Sequence, residues 1–132
     1  MSPDSPHHIL SARLARAGTQ ALRERYLPPL LKAERIGAAA LTEPQAGSDF
    51  AAIKTSARKV AGGWILNGEK AWIANGALAD VIVTYAQTDP ARRGRGIACF
   101  LVDGTRAGFE RKAPYALMGG HAIGVGGFAI RD

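Results

Sequence analysis

Side chains able to bind or react concentrate in two short segments of the chain. The first, Thr42-Glu43-Pro44-Gln45-Ala46-Gly47-Ser48-Asp49, joins a hydroxyl, a proline-stiffened bend and a small-residue stretch. Amides exposed in such a bend, with the Ser48 hydroxyl among them, can cradle phosphate oxygens. The second, Trp72-Ile73-Ala74-Asn75-Gly76, sets a large flat ring beside a glycine turn. A tryptophan on a half-buried strand is ordinarily core. Taken with the first segment, this one reads as a wall for a flat cofactor.

Other chemistries find less to work with. The soft metal ligands are His7, His8, His121 and Cys99, and only the adjacent His7-His8 pair is close in sequence, so no metal site is expected. Cys99 lies in the apolar run Ile97–Leu101 and reads as a small buried hydrophobe without a neighbouring base. Glu43 and Asp49 share a loop and could form an acid/base pair. Capping of backbone amides by Asp49 and Thr42 explains the same residues more simply. Neither a Gly-x-Ser-x-Gly elbow nor a Gly-x-Gly-x-x-Gly turn is present.

The elements that must hold these segments change character along the chain. Ile9, Leu10, Arg13, Leu14 and Ala17 follow helical spacing up to a stop at Gly18. Thr19 can cap a second helix that Pro28-Pro29 ends or converts into a further short turn. From Ile36 onward, strand-sized segments follow: Ile36–Leu41, Ile53–Ala61, Asp80–Thr88, Ile97–Val102, Phe109–Pro114 and Val125–Ile130. Gly62-Gly63 turns the chain, and Asn67-Gly68 between Trp64–Leu66 and Glu69–Ile73 predicts a β-hairpin. Regular spacing of short strands predicts an α+β, mainly β domain: an antiparallel barrel or sandwich of about six to eight strands, preceded by two or three short helices.

Composition sets outer bounds. The 132 residues are 47% hydrophobic and 21% charged, as in an ordinary folded domain. One cysteine excludes an internal disulfide. No apolar run reaches the length of a membrane span, and the first residues do not resemble a secretory signal, so the cytoplasm is the expected compartment. The net charge of +6 admits an anionic partner. Its clusters are Arg92-Arg93-Gly94-Arg95, Arg58-Lys59 and Arg111-Lys112. A barrel binding nucleic acid would interleave aromatic rings with these, but aromatic content is only 7%. A solvated face or a clamp for a phosphorylated cofactor accounts for the charges as well, and nucleic acid is not expected as a partner.

The order of these motifs resembles the acyl-CoA dehydrogenase family. Its phrase (A/V)-T-E-P-x-A-G-S-D stands here as Leu41–Asp49, and its N-G-x-K-x-W-I-T-N-G-x-x-A-D as Asn67–Asp80. Gly96–Val102 and Ala107-Gly108-Phe109 follow in the family's order, and Gly18–Leu30 is similar to its helical lead-in. The resemblance implies the end of an N-terminal helical domain in residues 1–35 and the middle β-domain in 36–132. It also implies an FAD cofactor and α,β-dehydrogenation of acyl-CoA thioesters. Ala39, Leu41, Thr42, Gly47 and Ser48 would line the flavin together with Trp72, Ile73 and Ala74, and Ser48 would also meet substrate. The family's catalytic base is a glutamate of a C-terminal helical domain, so none of the carboxylates here is expected to be catalytic and the isolated chain is expected to be inactive. Implied partners are an electron-transfer flavoprotein or similar acceptor, the remainder of the dehydrogenase, and further copies in a homo-oligomer. Ala74 replaces the family's usual threonine, which implies weaker flavin binding or a shifted reduction potential. His121-Ala122-Ile123-Gly124 departs from a stretch where many members carry Arg and Ser. The alternatives are a flavin oxidase or monooxygenase built on the same domain, and a basic barrel binding nucleic acid.

Overall fold

The computed structural model describes residues 5–131; the signal-sequence reading of residues 1–4 and the side chain of His121 lie outside that description. Two helices come first. In α1 (Pro6–Ala17) Ser5 caps the start by accepting from the His8 amide at 3.2 Å, with Pro6 in the first turn. Gly18 follows it, and a Cβ there would lie 2.5 Å from the Leu14 carbonyl oxygen, so bulk rather than conformation requires the glycine. Thr19 then caps α2 (Gln20–Leu31) by accepting from Leu22 N–H. The helix runs through Pro28 and Pro29 rather than ending at them. Both prolines fall in the last turn, where few amide donors remain to be lost.

Among the described residues seven strands follow: β1 (Gly37–Ala40), β2 (Ser56–Val60), β3 (Gly63–Ile73), β4 (Val81–Gln87), β5 (Ile97–Asp103), β6 (Phe109–Arg111) and β7 (Gly126–Ile130). They form one curled sheet in the order β1-β4-β2-β3-β7-β6, with β5 on the other edge of β4. The sheet is mixed, not antiparallel throughout. β1 pairs parallel with β4 over Val81–Thr84, and β2 meets the same edge of β4 at Ser56 and Gln87, again in parallel. The chain thus leaves β4's edge after Ala40 and rejoins it at Ser56, and the intervening loop carries the candidate site.

A second correction concerns Asn67-Gly68. Gly63–Ile73 is one continuous 11-residue strand. A Cβ at Gly68 would lie 2.4 Å from Thr55 Oγ1 and 2.6 Å from Thr55 Cα, so this glycine admits a close neighbour and makes no turn. The hairpin lies upstream, between Val60 and Gly63, with Gly62 at φ +83°.

The helices dock on one face of the sheet, where Leu10, Leu14, Tyr26 and Leu30 pack against Val81 and Val83. Inside the curl, Ala38, Ala40, Ile73, Ala79, Ile82 and Phe128 form the other core cluster. β1 runs between these layers, and its small side chains suit it: a Cβ at Gly37 would lie 2.6 Å from Leu10 Cδ2. Burial of a leucine such as Leu10 or Leu30 stabilises the docking by roughly 2–3 kcal/mol. Among the described residues no helix is long and apolar enough to cross a membrane.

Candidate functional site

The loop after β1 is built around one carboxylate. Glu43 and Ala46 exchange two backbone hydrogen bonds, 2.8 and 3.1 Å, across a bend whose second residue is Pro44. The Glu43 side chain, 2% exposed, accepts from the Lys54 amide at 2.7 Å, the Thr55 amide at 3.0 Å and Gln45 Nε2 at 2.7 Å. Lys70 Nζ, equally buried on β3, donates to Glu43 Oε1 at 2.9 Å and to the Leu41 carbonyl at 3.0 Å. Burial alone would raise the Glu43 pKa, but the neighbouring Thr55 hydroxyl, the Lys54 amide, the Lys70 ammonium and the Thr55 amide outweigh it and hold the carboxyl down to about 2. Burial pulls the Lys70 pKa down, opposed by the Glu43 charge.

Glu43 therefore does the capping that sequence reasoning gave to Asp49 and Thr42. Asp49 makes no side-chain cap, and Thr42 contributes its carbonyl, which accepts from Ala71 N–H at 3.0 Å. With all four of its donors in place, Glu43 is also unsuited to acid/base work. The signal overlooked was Lys70 itself: a lysine among core-facing strand residues requires a carboxylate partner.

Beside this pair β3 breaks register. Lys70 faces Phe128 on β7 while Ile73 faces Gly126, so β3 carries one extra residue. The bulge puts Trp72 at φ +59° and turns its indole outward, 59% exposed, between buried Ala71 and Ile73. A non-glycine residue held in the left-handed region stores strain of about 1–3 kcal/mol. The indole lies against Tyr115, centroids 4.2 Å apart and planes 33° from parallel. Gly127 makes room for that contact, since a Cβ there would lie 2.7 Å from the Lys70 carbonyl oxygen and 3.1 Å from the Tyr115 hydroxyl. Downstream, Asn75 at φ +63° donates from Nδ2 to the Gly37 carbonyl at 3.1 Å, tying the turn back to β1.

The expected residues divide into two groups. Thr42 and Trp72 come together through the Thr42–Ala71 bond, and Gly47 and Ser48 sit exposed on the same loop. The amides of Gly47 and Ser48 have no partner among the described residues, and nothing lies within 4 Å of a Cβ built on Gly47. Leu41 is exposed and Ala74 half-buried at the same place. The side chains of Ala39 and Ile73 are instead committed to the two core clusters, one on each face of the sheet.

Other readings also change. Cys99 is exposed rather than buried, opposite Tyr85 on β4. Arg111 serves the fold, donating from Nη2 to the Ala79 carbonyl at 2.6 Å, and Lys112 pairs with Glu69. Among the described residues no three His, Cys, Asp or Glu side chains group as a metal site would require.

A family model described as acyl-CoA dehydrogenase, middle domain, matches residues 38–132. The chain belongs to this family. Isovaleryl-CoA dehydrogenase, mitochondrial, of Arabidopsis thaliana is 46% identical over 98 residues, which are 74% of this chain and 24% of that protein. The solved structure of PigA with FAD and proline matches with a TM-score of 0.92 at 31% identity, over 96% of this chain and 33% of its own. The glutaryl-coenzyme A dehydrogenase glutaryl-CoA complex matches with a TM-score of 0.89 at 35% identity, over 92% of this chain and 31% of its own. The chain thus spans about a quarter of the Arabidopsis relative's length. That relative is named as mitochondrial, so it lends no support to a cytoplasmic compartment.

Proposed function

We propose that this chain is the flavin-contacting middle domain of an FAD-dependent acyl-CoA dehydrogenase. The observation that carries the reading is the outward-turned indole of Trp72, fixed on a bulge that is hydrogen-bonded to the Thr42–Asp49 loop. A strained, exposed ring tied to a loop that carries two free amides suits a flat, phosphate-bearing group. Bound FAD supplies a hydride acceptor for α,β-dehydrogenation of an acyl-CoA thioester. Trp72 then serves as a stacking wall, with Leu41 and Ala74 beside it and the backbone of Ala39 and Ile73 behind. The Thr42 hydroxyl orients the polar edge of the ring system, and the amides of Gly47 and Ser48 hold phosphate oxygens. Ser48 also meets the substrate.

Glu43, saturated with donors and held as a carboxylate, has no basicity to offer. The acceptor for the substrate's α-proton is therefore proposed to lie outside these residues, which leaves this chain inactive by itself. PigA with FAD and proline and the glutaryl-coenzyme A dehydrogenase glutaryl-CoA complex support the cofactor and substrate class. An electron-transfer flavoprotein or similar acceptor, the remaining dehydrogenase domains and further copies of the chain complete the proposed set of partners. Residues 1–35 are assigned to the end of a helical domain and 36–132 to the β-domain.

Titration of FAD with the purified chain, read by flavin fluorescence, tests the assignment. Saturable quenching is expected, and Trp72→Ala weakens it about three- to tenfold, the worth of one aromatic stacking contact. Quenching that is indifferent to Trp72→Ala and abolished by moderate salt rejects the pocket.

A further inference from the structure

The cations of this chain are unevenly matched. Among the described residues the ion pairs use Lys32, Arg35, Lys70, Lys112 and Arg131. Lys54, Arg58, Lys59 and Arg93 are in none of them, and these four line one open groove of about 840 Å3 in which no lining residue is acidic. Arg92 and Arg95, also unpaired, flank Arg93 on the same loop. The nearby Asp89 carboxylate is occupied as a cap, accepting from Ala91 N–H at 3.1 Å. Gln87 stiffens this wall, donating from Nε2 to the Arg93 carbonyl at 2.9 Å and accepting from the Asp89 amide at 3.1 Å.

The opposite wall of the groove is a bare strand edge. β2 touches β4 at Ser56 and Gln87, where Gln87 N–H donates to the Thr55 carbonyl at 2.7 Å. β4 ends at Gln87, so the same edge of β2 runs on without a neighbour. Backbone groups alternate sides along a strand. Thr55 faces β4, so Lys59, four residues on, presents its N–H and C=O to the groove, where no described residue bonds to them.

We propose that the Ala57–Val60 edge and its basic groove dock an extended, acidic polypeptide segment of a partner protein. Main-chain pairing along Lys59 would give the segment its direction, as in strand addition to a sheet edge. Its carboxylates would meet Lys54, Arg58, Lys59 and Arg93. Single-stranded nucleic acid suits the groove less well, because it needs successive rings for stacking. Trp64 is the one ring among the lining residues, and it is already packed on Phe100 at 5.3 Å, with the rings 65° apart.

The probe is a labelled decapeptide of alternating Glu and Thr, added to the full chain and followed by anisotropy. Amide exchange at Lys59 is measured in parallel. Saturable binding that weakens with salt and slows exchange at Lys59 is expected, as is a loss of at least tenfold on combining Arg58→Glu with Lys59→Glu. Lys32→Glu, a reversal on the far loop, leaves binding unchanged. Tighter binding of decathymidylate than of the peptide overturns the proposal, as does peptide binding that leaves Lys59 exchange unaltered. Should the double variant fail to fold, the exchange measurement on the unsubstituted chain decides.

Discussion

The two ends of β3 obey different rules. At its start the strand pairs with β2 in unbroken register from Val60↔Gly63 to Ser56↔Asn67, and Gly63 there meets open space. At its far end Lys70 is buried against Glu43, the register slips, and Trp72 and Asn75 sit at positive φ. The first end is what alternation and turn chemistry produce unaided. The second persists only because neighbouring elements over-determine it, through Thr42, Glu43, Phe128 and Tyr115. Along β3, irregularity is therefore concentrated at the end where the candidate site lies and is absent from the end that pairs with β2.

That contrast can be broken from the irregular end. Lys70→Met leaves Glu43 charged and unpaired in the core and should cost about 3–5 kcal/mol, read as a fall in the urea midpoint with an unchanged slope. Acid acts on the same carboxylate. Its pKa is near 2 in the folded chain against 4.5 when exposed, so its contribution is complete above about pH 4.5 and is lost as the pH falls toward 2. Denaturant midpoints measured from pH 6 to pH 2.5 should fall across that window, and Glu43→Gln should flatten the fall. Gly68→Ala drives a methyl into Thr55 and should cost about 1–3 kcal/mol, measured the same way. Gly63→Ala, at the regular end with nothing within 4 Å, should change stability by less than about 0.5 kcal/mol. Equal losses at Gly63 and Gly68 would erase the distinction.

How much of this was legible depended on the range of the forces involved. The Gly18-Thr19 boundary, the closeness of Trp72 to the Thr42–Ser48 loop and the small-residue β1 follow from local spacing and from the two motifs. Asn67-Gly68 misled because turn propensity is local, whereas the demand for a glycine there comes from Thr55 across the sheet. Parallel pairing of β1 and β2 with β4 was hidden for a related reason: nothing in Gly37–Ala40 names a partner as distant as Val81. The Glu43–Lys70 pair and the bulge depend on burial, which an uncoupled reading of each segment does not supply. Pro28 and Pro29 deceived by position, since one turn earlier they would have ended α2.

The shared edge of β4 also has a temporal consequence. During synthesis, β1 leaves the ribosome well before its partner Val81–Thr84, a delay of several seconds at typical elongation rates. For that interval its backbone has no sheet to join. A nascent strand of Gly37 and three alanines offers chaperones and neighbouring chains very little adhesive surface while it waits.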